Sequence, residues 1–559
     1  MVAHASTGTF RPPPLSSGST ADGPPPPRQT TLTPPPAPPP TSIPWLGLIA
    51  VLMGTFISTL NGRLSSFGLA DIRGAVGAGF DEGAWITTAQ TVAQMFVTLL
   101  SLWMGAAYGP RRVLIGASLA FAVVSLLTPF ATTLPQLLVM QFLGGCASGF
   151  FIPLTLAFIL RNMPPKYWVY GVALYALNLE LSLNISASLE GYYIEHLSWR
   201  WIFWQNVPLA LIMTICLRAG IPAGSPPPAQ RPPFDGFGLL LGGLGLAITY
   251  AALDQGNRLD WLNSGLEWGL LGAGALLIGA FLIHEWITPH PVFNLRVATK
   301  APMPGLFALV AFLRLTILST AFLIPLYLGS VRGFRSLEVG ETLIWVAVPQ
   351  LIICPLAALI LRRTDARLLA CIGFIFISVA CLMVAYGLTP DWGSTQFLPS
   401  ALLQAVGQSF ALSGLVFFGV LHVKPEEALT FGGVLQTARV MGGEIGTAFI
   451  NTWTRVREQV ASNLIGQHVR IGDPDVLRRI HAYGSVTSRV FDPQGDTLRG
   501  ESVLSGAIRA AATTQAVMDG FVAIGFMTVL ALLLLLYRSA APHGPASPPP
   551  LFSPRPNPP

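Results

Sequence analysis

Runs of mostly apolar residues recur along this chain, each long enough to cross a lipid bilayer as one helix. A crossing takes about 20 such residues, at about 1.5 Å of rise each. Short stretches with Arg, Lys, Pro and Gly separate the runs. The pattern predicts fourteen spanning helices. Six lie near 45–69, 84–106, 113–132, 136–160, 168–190 and 201–219. Two follow near 237–254 and 266–287. The last six lie near 303–328, 338–361, 368–388, 398–421, 430–453 and 516–537. Pro and Gly inside several of these runs fit the reading, because both are frequent in membrane helices.

The spacing of the runs divides the chain. Residues 1–43 are rich in Pro, Ser and Thr and read as an extended tail without a core. They lack the charged start and following apolar stretch of a secretory signal. Residues 44–220 form a first six-helix half, and 301–537 a second. Between them, 221–300 holds the Pro-rich linker Ile221–Pro233 and an inserted helix pair. The stretch 454–515 reads as a long outer loop, with an amphipathic helical pattern from Arg455 to Gln467. Residues 538–559 form a second Pro-rich tail. The expected fold is therefore an all-α polytopic membrane protein, with two six-helix halves and a central inserted pair. Two such halves around a midplane cavity follow the plan of secondary transporters.

Charge sets the expected orientation. If both termini are cytoplasmic, the short inner loops carry twelve cations, from Arg111, Arg112, Arg161 and Lys166 to Arg367 and Lys424. The short outer loops carry five, namely Arg73, Arg200, Arg258, Arg332 and Arg335. The excess places both termini inside.

Composition narrows the class. Of the 559 residues, 52% are hydrophobic and only 10% charged. Soluble domains carry about a quarter charged residues, so this chain cannot cover a water-facing surface of its size. The mean hydropathy of +0.59 excludes disorder for the bulk of it. The net charge of +6 arises from scattered Lys and Arg, which argues against a nucleic-acid partner. The five cysteines lie in apolar runs and read as buried thiols. His284 and His290 do not have metal-ligand spacing. There is no phosphate-binding loop of the Walker type. An enzyme, a metal and a cofactor are therefore not expected.

Several motifs resemble a family. The stretch Ser198-Trp-Arg-Trp-Ile-Phe-Trp-Gln-Asn-Val-Pro208 is similar to the signature WRWIFxxNxP. It includes Trp199, Arg200, Trp201, Asn206 and Pro208. Leu69-Ala-Asp-Ile-Arg-Gly74, Pro325-Leu-Tyr327, Gly340, Pro355 and Asp365-Ala-Arg367 also fit, as does Arg439 with Gly442, Gly443 and Gly446. The chain resembles the fourteen-helix drug:proton antiporter branch of the major facilitator superfamily, the EmrB/QacA type, from about 45 to 537. The resemblance implies the major facilitator fold and proton-driven export of amphipathic organic compounds from the cell across the inner membrane. In a double-membraned bacterium it also implies a periplasmic adaptor as partner.

The departures fall at the coupling motifs. Asn61 stands where the family has Asp, two residues before Arg63. After the second helix Gly109, Arg111 and Arg112 match, while Ala106 and Ala107 replace charges. Gln141 replaces an Arg of the fourth helix, where Gly145, Gly149 and Pro153 match. The antiporter motif Gly-Pro-x-x-Gly-Gly reads Ser186-Ala-Ser-Leu-Glu190-Gly191. Its usual charges are missing or moved.

Charged groups inside spans are the remaining candidates, because a charge at the bilayer centre costs ~2.5–3.5 kcal/mol and faces a cavity or a partner. Glu180, Glu190 and Glu444 are candidate proton carriers. Arg63, Arg314 and Arg439, with Asn61, Gln90, Gln94, Gln141, Asn184, Gln408 and Gln436, are candidates for a substrate cavity. A carboxylate paired with a mobile Arg would take up a proton when the Arg leaves. Static packing is the competing role for Glu180, and amides between helices also act as glue. Two alternatives stand beside drug export. One is transport of an anionic compound by the three Arg residues, and the other is a non-transporting scaffold or sensor built on the tails. Deleting 1–43 separates these: a transporter keeps its activity in a cell-based efflux assay, and a scaffold loses its function.

Overall fold

The computed structural model describes residues 44–221, 233–289, 291, 295–470, 473–487 and 493–537. Both Pro-rich tails, most of the linker after Ile221 (with Arg231) and His290 lie outside the described residues. Among the described residues all regular structure is helical. The long helices are α1 (Trp45–Phe67), α2 (Phe80–Tyr108), α3 (Pro110–Phe130), α4 (Leu134–Asn162), α5 (Pro165–His196), α6 (Trp201–Gly220), α7 (Gly236–Gly256), α8 (Gly265–Ile287), α9 (Met303–Ser330), α10 (Ser336–Leu361), α11 (Ala366–Gly387) and α12 (Leu398–Val420). They are followed by α13 (Ala428–Gly466), the short α14 (Pro474–Thr487) and α15 (Pro493–Leu536). Thirteen of the described helices are long and apolar enough to cross a membrane. Helix α13 completes the expected fourteen. It falls below that threshold because it carries Arg439, Glu444, Arg455 and Arg457 and many glycines.

The largest difference from expectation concerns 454–515. Its described residues are largely helical, and the helical pattern expected from Arg455 belongs to a continuation of α13. Helix α13 continues to Gly466, and α15 starts at Pro493 rather than near 516. With 39 and 44 residues these helices reach roughly 58 and 66 Å, about twice the hydrocarbon thickness. Their extensions and α14 form a helical layer beyond the bundle, at the end here called the distal face. Gly500 of α15 lies directly against the Ile480 carbonyl of α14, where a side chain would collide. Arg457 of α13 pairs with Asp519 of α15 at 2.6 Å. Arg455 reaches Asp260 in the α7–α8 turn at 3.3 Å. Hydrogen bonds from Asn263 and Arg455 hold the Asp260 carboxyl below the usual range. That link is therefore intact above the ordinary Asp titration and fades only as pH falls through the lowered one.

Small residues set the helix contacts. Without water to expel, membrane helices gain from close backbone approach. Helices α5 and α10 form the most extensive pair. A side chain at Gly340 would meet the Ser188 backbone at 2.5 Å, and one at Gly191 would meet the Leu337 Cα at 2.6 Å. On the opposite side of the bundle α13 lies against α2 and α4. There Gly432 sits on the Pro153 carbonyl, and Gly433 on Leu102. The opposite end of the bundle, here called the basic face, holds the turns with Arg111, Arg112, Arg161 and Arg362. Gly109, at φ +82°, makes the tight α2–α3 turn that a side chain would strain. Arg111 donates to the Arg218 carbonyl at the end of α6. Arg161 of α4 donates to the Pro425 and Glu426 carbonyls before α13, and Arg362 donates to the Tyr170 hydroxyl of α5. These contacts join the first six helices to the last six.

The inserted pair is asymmetric. Helix α7 packs on α2 and α13, whereas α8 packs mainly on α7. Leu276, Ile283, Trp286 and Ile287 of α8 are exposed, as a lipid-facing helix requires. Asp235 caps α7 by accepting from the Gly238 amide at 2.9 Å, and it pairs with His284 of α8 at 2.8 Å.

Replacing Gly340 with Leu drives a side chain into the α5 backbone, and overpacking of this kind costs about 1–3 kcal/mol. The melting temperature of the purified protein falls. Gly279→Leu on α8 leaves it unchanged, because nothing lies within 4 Å of that position.

Candidate functional site

A cavity of about 260 Å³ opens among α1, α2, α4, α5, α7, α9 and α13. Of the sequence candidates, Arg63, Gln94, Arg314, Arg439 and Glu444 line it. Arg63 is held by a backbone device. Pro325 has no N–H to return to the carbonyl four residues earlier, that of Ala321. Helix α9 widens into a π-turn over Ser319–Leu323, and the Arg63 guanidinium donates to the freed Ala321 carbonyl at 3.0 Å. Its face also stacks 5.0 Å from the Phe67 ring.

Arg314 sits one helix away. Gly442 of α13 lies directly on Ala311 of α9, and Gly443 faces Arg314 at 3.7 Å. Those glycines bring the two helices together and leave the guanidinium aimed at open space. Its Nε and Nη1 have no hydrogen-bond partner. Arg439 donates from Nε to Gln436 at 3.0 Å. Among the described residues none of the three Arg side chains is in an ion pair. The expected pairing of Glu180 or Glu190 with an Arg is therefore not direct. Glu180 is fully buried behind the wall and interacts with Arg314 and Arg439 only at longer range. Both its oxygens lack hydrogen-bond partners. Glu190 lies near the distal end of α5, beside Gly68 and Ser336.

The amides divide by partner. Asn184 donates to Gln350 at 3.4 Å and to Gln408 at 3.3 Å, and Gln408 donates to Thr320 at 2.9 Å. This network joins α5 to α10, α12 and α9 behind the cavity. Asn61 accepts from Asn206 at 2.7 Å and ties α1 to α6. That is a packing link inside the WRWIFWQNVP stretch. Gln94 donates to Ser148 at 2.9 Å from the cavity wall. Gln90 and Gln141 are buried, and their amide nitrogens lack partners. Gln90 contributes its backbone instead, which Gly145 of α4 touches directly.

The family-motif residues hold joints. Pro153 accompanies the break in α4 at Gly149–Phe150. Trp199 meets Phe203 edge-on, and Arg200 covers the Trp199 ring. Trp201 meets Trp204 edge-on. Pro208 sits in the first turn of the longer part of α6, which starts at Asn206. Asp365 caps α11 by accepting from the Arg367 amide at 2.9 Å.

Sequence reasoning missed one wall of the cavity. Tyr250 and Asp254 of α7 line it, one turn apart, with Thr87 and Thr91 of α2. Asp254 accepts from the Thr88 hydroxyl, and from Gln255 at 2.9 Å. The available signal was an acid at the end of an apolar run, which the span pattern alone does not single out. Gln350 was missed for a similar reason, being a lone amide beside Pro349.

Comparison with known proteins agrees with this architecture. The family model described as Major Facilitator Superfamily matches residues 51–447. The multidrug export protein EmrB of Haemophilus influenzae is 24% identical over 428 residues, covering 76% of this chain and 83% of that protein. The probable multidrug resistance protein EmrY of Escherichia coli is 26% identical, with 74% and 80% covered. The crystal structure of the human organic anion transporter MFSD10 superposes with a TM-score of 0.54 at 14% identity, covering 88% of this chain and 99% of that one.

The amide network predicts energetic coupling. In a double-mutant cycle, Asn184→Leu and Gln408→Leu couple by about 0.6 kcal/mol in unfolding free energy, the usual size for interhelical hydrogen bonds in membranes. Asn184→Leu and Gln94→Leu do not couple, because they belong to separate networks.

Proposed function

Because the chain belongs to the major facilitator superfamily, we propose that it is a proton-driven exporter of amphipathic organic compounds that works by alternating access. The supporting observation is one polar cavity whose walls come from α1, α2, α4 and α5 on one side and α9 and α13 on the other. Rocking of these two sets about the α5–α10 contact would open the cavity to each face in turn. The relatives EmrB and EmrY are named as a multidrug export and a probable multidrug resistance protein, and this chain takes the same class of substrate in our reading. The protein is a multi-pass membrane protein. In our proposal the basic face lies in the cytoplasm, by the excess of Arg and Lys in its loops. Both termini then lie inside, in the inner membrane of a bacterial cell. The layer of α13, α14 and α15 then projects outward, where it would meet a periplasmic adaptor.

In the cycle, Arg314 and Arg439 approach or leave Glu180 as α9 and α13 move against α5. Their approach favours the carboxylate, and their departure favours the acid. Glu190, near the distal opening of α5, offers a second stop for the proton. This replaces the Asp and Arg that the family's coupling motifs supply and this chain lacks. A second reading rests on Arg314, whose unpartnered Nε and Nη1 suit a carboxylate, sulfonate or phosphate on the substrate.

The test is transport into proteoliposomes under an imposed pH gradient, with ethidium and carboxyfluorescein as cationic and anionic dyes. Ethidium accumulates against its gradient only when protons run the other way, and Glu180→Gln reduces accumulation at least about tenfold. Accumulation of carboxyfluorescein alone, lost in Arg314→Ala, establishes the anionic reading instead. If neither dye moves with the gradient the export reading falls, and if Glu180→Gln equals wild type the residue is structural.

A further inference from the structure

Helix α7 is one of the two helices by which this chain exceeds two six-helix halves, and it carries chemistry. We propose that Asp254 of α7 and Glu444 of α13 form a carboxylate pair that shares one proton in the cavity wall, which makes the inserted helix part of the coupling machinery.

Both side chains line the same cavity. The charge of Asp254 is felt at Glu444 across that cavity. Tyr250 lies one turn before Asp254 on the same face of α7, and its hydroxyl faces Glu444 and Thr91. The two carboxylates differ in their supply of donors. Asp254 receives the Thr88 hydroxyl and the Gln255 amide. Glu444 is 8% exposed, and its Oε1 is buried without a hydrogen-bond partner. Asp254 thus has two donors for a charge, whereas Glu444 has the Tyr250 hydroxyl alone and keeps one oxygen that a proton would satisfy.

Three of the four cations nearby are otherwise engaged. Arg258 follows Asp254 by one turn, but its Nε donates to Gln255 at 2.8 Å and its Nη1 to Asp81 at 3.2 Å. On α13 itself, Arg439 donates to Gln436. From α1, Arg63 donates to the Ala321 carbonyl. From α9, Arg314 lines the same cavity, and among the described residues it forms no ion pair with either carboxylate. Helix α8 brings Glu267, a third acid and not a cation, and α2 brings Thr88 and Thr91 hydroxyls. Two carboxylates on the wall of one cavity without a paired cation resist double ionisation, and such pairs titrate as a unit.

The position of the pair supplies the coupling. Helix α7 packs on α2 of the first six helices and on α13 of the last six. It therefore lies across the joint that alternating access must flex. Movement of α13 relative to α7 changes the separation of the carboxylates. Together they hold one proton, taken from water on the distal side onto a carboxylate oxygen. Apart, they release it. This use of the proton rests on the transport reading above, while the existence of the pair does not.

The experiment therefore has two arms. The first uses the full-length protein in lipid vesicles and records infrared difference spectra over a pH titration. Wild type shows a protonated-carboxyl band that Glu444→Gln removes, and Asp254→Asn shifts its midpoint by about one pH unit or more. Superimposable spectra of wild type and the double variant overturn the proposal, as does an unshifted midpoint in Asp254→Asn. The second arm uses whichever of ethidium or carboxyfluorescein wild type accumulates. Asp254→Asn and Glu444→Gln lose at least about tenfold of gradient-driven accumulation, and Glu444→Asp restores part of it. Accumulation equal to wild type refutes the coupling role. A shared-proton band in a protein that accumulates neither dye sinks the export reading and leaves the pair standing.

Discussion

A guanidinium in hydrocarbon costs about 2.5–3.5 kcal/mol on insertion scales, and this bundle carries three, on α1, α9 and α13. None has a carboxylate partner within ion-pair distance among the described residues. Each must therefore face water or borrow a neutral acceptor, and that requirement shapes the centre of the molecule. Arg63 takes a carbonyl that Pro325 leaves free. Arg439 takes Gln436. Arg314 keeps part of its guanidinium unpartnered, so a hydrated cavity must reach it. The π-turn in α9, the glycines of α13 and the cavity all follow from placing these three cations inside.

The same glycines that admit Arg314 also bind the two sets of helices together. Gly442 and Gly446 bring α13 onto α9, while Gly432 and Gly433 bring it onto α4 and α2. Helix α13 thus touches both sets, with its polar middle facing the cavity and its small residues facing its neighbours. That is why it is too polar to register as a span by hydropathy and yet sits at the centre. On the other side α5 and α10 close through Gly191 and Gly340. A joint made of backbone contacts and few interlocking side chains can slide or rock at low cost, which suits a cavity that must change sides.

The inserted pair changes the chemistry as well as the count. Helix α8 remains a lipid-facing strut. Helix α7 closes one side of the cavity and brings an acid there, opposite the cationic side formed by α1 and α9. The cavity is therefore bipolar, with guanidinium groups and carboxylates in one space. The distal links of Arg258 to Asp81, and of Arg455 to Asp260, hold this inserted wall to α2 and α13. Its movement is then tied to theirs.

Most of the architecture was legible in the chain. Apolar runs mark helices because lipid leaves the backbone no other partner, and thirteen of the fourteen predicted spans were found by that property alone. Arg63, Arg314, Arg439 and Glu444 stood out in the sequence as charges inside spans, and the structure places all four on the cavity wall. The sequence could not tell the cavity amides from the gluing amides. Gln94 and Gln408 are alike as residues, yet one lines the cavity and the other joins a network behind the wall. The extent of α13 and α15 was also hidden, because their extensions are polar and give no bilayer signal. Nor could the pattern show that Asp254, at the end of one run, lines the same cavity as Glu444, in the middle of another. Hydrophobicity is summed along a helix and is read directly from the chain. Which side chains share a space depends on helix rotation and neighbours, and only packing in three dimensions decides that.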